Sequence, residues 1–181
     1  MMLMLSNVEV LLLSIVNEKP SYAYEIDKAI DHRDMRRWVR VGVASIYQVL
    51  KRLEEKDFVY SKKEKEGRMP DRKRYYITDT GKAALVEASK RLLSGLEWYY
   101  LDLNIGFETS DLLSPEEIAN CLIKRLFKVQ LNIKKLKEMY LSQDDTKFKK
   151  NAVIKSLIYL REAEEKFLQE IIQELSTSIH Q

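Results

Sequence analysis

Seven cations, Lys62, Lys63, Lys65, Arg68, Arg72, Lys73 and Arg74, crowd one short stretch of this chain. A ribbon carrying such charge can lie along a phosphate backbone or enter a minor groove. Just ahead of it, Ser45, Gln48, Lys51 and Arg52 recur at helical spacing, with Tyr47 at the margin of the same face. On a helix in a major groove, Ser45 and Gln48 can hydrogen-bond base edges or phosphate. The Tyr47 hydroxyl can reach a phosphate, and Lys51 and Arg52 suit the backbone or a guanine edge. This is the chemistry of duplex DNA recognition. A solvated amphipathic helix and a solvated charged ribbon are the plain alternatives.

Other chemistry finds little footing. The two histidines, His32 and His180, are far apart in sequence. Asp31, His32 and Asp34 are near neighbours, but consecutive helix positions diverge, so neither a metal site nor a cofactor is expected. The sequence holds no Gly-rich phosphate loop, nucleophile elbow or HExxH, which argues against an enzyme. The one cysteine, Cys121, excludes an internal disulfide and suits a reducing cytoplasm. It reads as a packed small apolar residue, with a reactive thiol as the alternative.

Net charge is only +3 over 181 residues, but its distribution is uneven. Residues 36–74 hold 13 Lys and Arg against 6 Asp and Glu, while residues 96–181 hold 12 against 14. Focused positive charge of this kind is a nucleic-acid footprint. With 45% hydrophobic residues the chain can bury a core, and its 5 Gly and 3 Pro favour helices over a turn-rich β fold. No apolar run is long enough to span a membrane. The opening stretch, 1–21, lacks a basic start and a small-residue cleavage site, and Glu9 interrupts it, so it reads as a buried first helix and not a signal peptide.

The elements that must position these residues follow from hydrophobic period. Val8, Leu11, Leu12 and Ile15 predict a helix over 7–16, broken by Lys19-Pro20-Ser21. A second helix over 21–33 carries Ala23, Tyr24, Ile26 and Ile30, with Ser21 as its cap. After a charged connection containing Trp38, which suits core or domain-contact packing, a third helix spans 43–56 with Ile46, Val49, Leu50 and Leu53 inward. Strands over 58–63 and 72–77 flank a turn at 64–71 and form a hairpin that must lean on the helices. Thr78 caps a long linking helix that runs to Leu103.

Residues 104–113 read as a connection. Ser114, Pro115 and Glu117 then write a strong helix start, with cap, first helical position and capping box. Ile118, Leu122, Leu126, Val129, Ile133, Leu136 and Tyr140 stripe that helix. Ile154, Leu157, Ile158, Leu168, Ile171, Ile172 and Leu175 stripe a last one over 146–176. The fold expected is mostly α with a small β-hairpin wing, a winged helix-turn-helix followed by a C-terminal antiparallel helical pair. Two domains follow, 1–103 for DNA binding and 104–181 for dimerisation. Helices of about 25–30 residues reach roughly 40 Å. Such long stripes are not buried by a single partner helix, so a second copy in a C2 homodimer is expected to cover the remainder.

Several ordered motifs carry a resemblance over residues 5–95. Tyr22-Ala-Tyr-Glu-Ile-Asp27, Ser45-Ile-Tyr-Gln-Val-Leu-Lys-Arg-Leu-Glu54, Gly67-Arg68 and Arg72-Lys-Arg-Tyr-Tyr-Ile-Thr78-x-x-Gly81 resemble the PadR family of transcriptional regulators. The family's usual glycine before the first tyrosine is replaced here by Pro20-Ser21. The resemblance implies a dimer that binds a palindromic DNA operator, usually as a repressor. Tyr22 or Tyr24 would then stand near DNA, with Tyr24 in the core as the alternative. Ser45, Tyr47, Gln48, Lys51 and Arg52 would lie on the recognition helix, and Lys62, Lys63, Arg68, Arg72 and Arg74 in the wing. Some relatives respond to small aromatic or cationic compounds, so Trp98, Tyr99 and Tyr100 serve either an effector or a dimer interface. A protein-interaction module that has lost DNA binding is the rival function.

Overall fold

The structure is a computed structural model that describes residues 4–64, 72–142 and 148–179. The chain forms two compact units, residues 1–98 and 99–181. The fold is mostly helical, with one small antiparallel sheet.

In the first unit, helix α1 spans Asn7–Glu18 and opens with a reciprocal cap. The Ser6 N–H donates to the Glu9 carboxylate at 2.8 Å, and the Glu9 N–H donates to Ser6 Oγ at 3.3 Å. Leu12, Leu13, Ile15 and Val16 are buried within it, so the helix lies deep in the core. Strand β1, Ser21–Tyr22, follows and leads into α2, Ala23–His32. The expected cap role of Ser21 is therefore corrected. Its backbone belongs to the sheet, and its hydroxyl donates to the Lys19 carbonyl at 3.0 Å. The Tyr22 N–H instead donates to the Glu25 carboxylate at 2.9 Å, satisfying a free donor at the start of α2.

Helix α3, Val43–Glu55, buries Ile46, Val49, Leu50 and Leu53 against this core. Strands β2, Val59–Glu64, and β3, Arg72–Ile77, pair antiparallel, and β1 adds to the far side of β3. The expected β2–β3 hairpin wing is present, and β1 adds a third strand that the sequence did not show, since a two-residue strand has no period to read. Helix α4, Asp79–Ser94, is capped by Thr78, whose Oγ accepts from the Gly81 N–H at 2.9 Å and donates to the Asp57 carbonyl at 2.7 Å. Gly81 packs so closely on the Phe58 carbonyl that a Cβ would stand 2.1 Å from its oxygen, which explains a glycine in the Thr78-x-x-Gly81 motif.

The linking helix expected to reach Leu103 stops at Ser94. Gly95 turns extended, and Leu93 and Leu96 are 89% exposed, so no packing rewards a further turn. Trp38, 45% exposed just after a 3-10 turn over Met35–Arg37, is not in the core of the first unit, so the core alternative is corrected.

In the second unit, the expected connection at 104–113 holds helix α5, Asp102–Glu108, and a 3-10 turn over Ser110–Leu112. The Phe107 and Phe167 rings meet edge to face at 6.2 Å. Helix α6, Pro115–Leu141, begins with the capping box read from Ser114 and Glu117. Helix α7, Phe148–Ile179, returns antiparallel to it. Leu122, Val129, Ile133 and Leu168 make one buried cluster, and Leu136, Ile154 and Ile158 another. Arg125 pairs with Glu164 and Lys137 with Glu162, each at 2.6 Å, across the seam. Cys121 is exposed and not packed as expected, because it precedes Leu122 and so falls outside the buried stripe. No described helix is long and apolar enough to cross a membrane.

Candidate nucleic-acid interface

Ser45, Tyr47, Gln48, Lys51 and Arg52 are all exposed on α3, because the helix spends its other face on the core. What sets the start of this helix is Arg36. Its Nε donates to the Val41 carbonyl at 3.1 Å, and its guanidinium pairs with Asp27 at 2.6 Å and with Asp31. The Arg36 fork thereby ties α2 to the connection that enters α3, where Gly42 offers no side-chain cap. Asp34, at φ 55°, makes the left-handed turn that brings Arg36 round. Arg36 counted as part of the basic footprint, yet its charge is paired within the chain with Asp27 and Asp31.

The C-terminal end of α3 is fixed at two points. Lys56 Nζ reaches the buried Glu9 carboxylate at 2.6 Å, joining α3 to α1. Glu54 accepts from the Ser61 hydroxyl and pairs with Lys73 at 3.2 Å, joining α3 to the inner wing face. Burial alone would push both carboxyls up. The Lys56 ammonium and the Ser6 N–H overcome this at Glu9, and Ser61 and Lys73 overcome it at Glu54, so both sit below the ordinary carboxylate value.

Strand alternation divides the wing. Val59, Ser61, Tyr75 and Ile77 share the inner face, and Val59 and Tyr75 are buried there. Tyr60, Lys62, Glu64, Arg72, Arg74, Tyr76 and Tyr22 share the outer face. On it, Tyr60 stacks on Tyr76 at 5.1 Å, and Tyr22 on Tyr24 of α2 at 5.6 Å. The Lys62 ammonium stands over Tyr60 and Tyr76, Arg72 over Tyr24 at 5.2 Å, and Arg74 over Tyr22 at 4.4 Å. Glu64 joins the set, accepting from the Tyr22 and Tyr76 hydroxyls at 2.9 Å each, with Arg74 Nε 3.2 Å away. Those two phenols and the Arg74 and Lys62 charges hold the Glu64 carboxyl below its usual range.

The structure therefore brings Tyr22, Tyr24, Lys62, Arg72 and Arg74 onto one surface, and Ser45, Tyr47, Gln48, Lys51 and Arg52 onto another. Tyr22 is only 5% exposed, with its hydroxyl donated to Glu64, and Tyr24 is partly exposed. Lys63 is exposed at the edge. Of the turn expected at 64–71, Glu64 ends β2, and residues 65–71, Arg68 among them, lie outside the described residues. Trp98 and Tyr100 are 80% and 91% exposed, with Tyr99 also open. Sequence reading missed Arg36, Glu54 and Glu64. A period of two through Tyr60, Lys62 and Glu64 could have found the last; nothing local marks Arg36.

Residues 12–87 match the family described as Transcriptional regulator PadR-like family. No curated protein sequence matches the chain significantly. The whole fold is similar to that of Bacillus subtilis PadR in complex with operator DNA, at 17% identity and a TM-score of 0.76, covering 94% of this chain and 99% of that one. It is also similar to Bacillus subtilis PadR in complex with p-coumaric acid, at 17% identity and a TM-score of 0.75, covering 93% and 98%. The Streptococcus mutans protein smu.1604c aligns at 20% identity and a TM-score of 0.62, covering 90% and 96%. Residues 12–87 thus carry the PadR-like sequence pattern, and the chain as a whole has the PadR-like fold, a winged helix-turn-helix followed by a C-terminal helical pair.

Proposed function

We propose that this protein is a homodimeric, PadR-like transcriptional repressor that binds a palindromic operator through α3 and the wing. The observation that carries the reading is the pairing of an exposed polar face on α3 with an outer wing face of cations laid over tyrosines. One α3 per protomer enters successive major grooves, so half-sites lie about one helical turn apart, or a multiple. Ser45 and Gln48 supply base selectivity, Tyr47, Lys51 and Arg52 grip the backbone, and the wing, including Lys63 and Arg68, adds salt-sensitive affinity. Bacillus subtilis PadR has been seen with operator DNA, which supports this assignment.

The second unit pairs the protomers. Ile123, Phe127 and Leu131 form an exposed apolar stripe along α6 at helical spacing, with Phe127 68% exposed. Trp98, Tyr99 and Tyr100 offer exposed rings to a small aromatic or cationic effector or to the second copy; Bacillus subtilis PadR has been seen with p-coumaric acid. A mobility-shift titration on DNA upstream of the protein's own gene tests the reading, alongside sedimentation of the free protein. A shifted 2:1 complex is expected. No shift at low salt would favour a protein-interaction module on the same scaffold.

A further inference from the structure

The outer wing face contains more than a set of solvated cations. Three donors, Tyr22 Oη, Tyr76 Oη and the Arg74 guanidinium, converge on one point, and the group found there is the chain's own Glu64 carboxylate. We propose that these three groups form an oxyanion site, held in the free protein by Glu64 and taken over by a DNA backbone phosphate on binding. The inference rests on the DNA-binding reading and specifies one of its contacts.

Two phenol hydroxyls and a guanidinium suit any group with paired anionic oxygens, and a phosphodiester presents two. The surroundings favour an anion: Lys62 lies over Tyr60 and Tyr76 beside the site, and Arg72 lies over Tyr24. Glu64 fills the site imperfectly. Arg74 Nε is buried and 3.2 Å from Glu64 Oε2, yet its N–H makes no aligned hydrogen bond among the described residues. Glu64 is also replaceable, because its side chain is 35% exposed at the end of β2 and can turn into solvent. The tyrosines are fixed by stacking and by β1 pairing to β3, so the donors stay when the carboxylate leaves. Exchange trades one anion for another, so Glu64 competes with DNA and holds wild-type affinity down.

The test uses the full-length protein with Glu64→Ala, Glu64→Gln, Tyr76→Phe and the Glu64→Ala/Tyr76→Phe double variant, each checked by circular dichroism and melting. Binding to an upstream DNA fragment is read by fluorescence anisotropy at fixed salt. Glu64→Ala should tighten binding about tenfold and Glu64→Gln by less, as a competitor is removed or weakened. Tyr76→Phe should change affinity less than twofold where Glu64 is present, since the lost hydroxyl served both anions. In the Glu64→Ala background it should cost about tenfold. Equal effects of Tyr76→Phe in both backgrounds would reduce Glu64 to a nearby charge and overturn the site, as would weaker binding by Glu64→Ala. A second arm stands apart from DNA: inorganic phosphate, followed by 31P line broadening, should bind Glu64→Ala saturably, and binding should vanish in the double variant. Phosphate binding without any wild-type DNA binding would keep the oxyanion site and reject the DNA reading. Wild-type DNA binding with no phosphate response would do the reverse.

Discussion

Glu9 and Lys56 hold α1 against the end of α3, and they are not equivalent partners. The Glu9 side chain is 5% exposed, whereas that of Lys56 is 21% exposed. Lys56→Met leaves a carboxylate buried with only Ser6, through its N–H and side chain, for compensation, and breaking a buried pair in this direction costs about 3 kcal/mol. Glu9→Gln keeps an acceptor for one of the two donors and sets its amide NH2 against the other, but it buries no charge and frees an ammonium that can reach water, so it should cost less, about 1–2 kcal/mol. The order is therefore Lys56→Met worse than Glu9→Gln. The pH dependence sharpens the contrast. In the wild type the Glu9 pKa is lowered from 4.5 in the fold, so its stabilisation is complete above the unfolded value and lost as pH falls through the folded one. In Lys56→Met burial dominates and the folded pKa rises, so protonation relieves the strain and the deficit against wild type should shrink between pH 7 and pH 4. Urea unfolding at both pH values reads both effects. A deficit that is the same at pH 7 and pH 4, or a Glu9→Gln cost that matches or exceeds that of Lys56→Met, would refute the reasoning.

Three further expectations concern separate parts of the molecule. Gly81→Ala drives a methyl into the Phe58 carbonyl and should destabilise by at least about 2 kcal/mol, measured by thermal unfolding; an unchanged melting temperature would show that the backbone yields. Arg72→Ala should weaken DNA binding across all sequences, while Gln48→Ala should change base preference in a selection experiment; uniform loss in both would remove Gln48 from base readout. Phe127→Glu places a charge in the α6 stripe and should weaken self-association at least about a hundredfold by sedimentation, with the winged unit still folded. An undisturbed dimer would move the interface elsewhere.

What could be read in the chain before its structure follows from where the signal is local. The α3 stripe of Ile46, Val49, Leu50 and Leu53 declares its buried face by period alone, and the Ser114, Pro115 and Glu117 start of α6 is written in three residue types. The α4 helix was overrun because Leu96 and Tyr99 continue its period while the packing beneath them does not. Strand β1 escaped because two residues have no pattern, and it is β1 that makes Tyr22 part of the wing. Within the candidate site, the cations were legible as a cluster, but their partners were not. Glu64 sits 42 residues from Tyr22, and Arg36 closes on Asp27, Asp31 and Val41 through a turn that depends on Asp34 in a left-handed conformation. Such contacts are set by tertiary placement, and sequence spacing is silent about them.

The central claim is that a pair of recognition helices and wings grips duplex DNA largely through phosphates. The salt dependence of affinity for the upstream fragment tests it most directly, by fluorescence anisotropy across a chloride series. If the dimer neutralises about eight phosphates, log K should fall against log salt with a slope near about −7. A flat response, or no binding at low salt, would contradict the account.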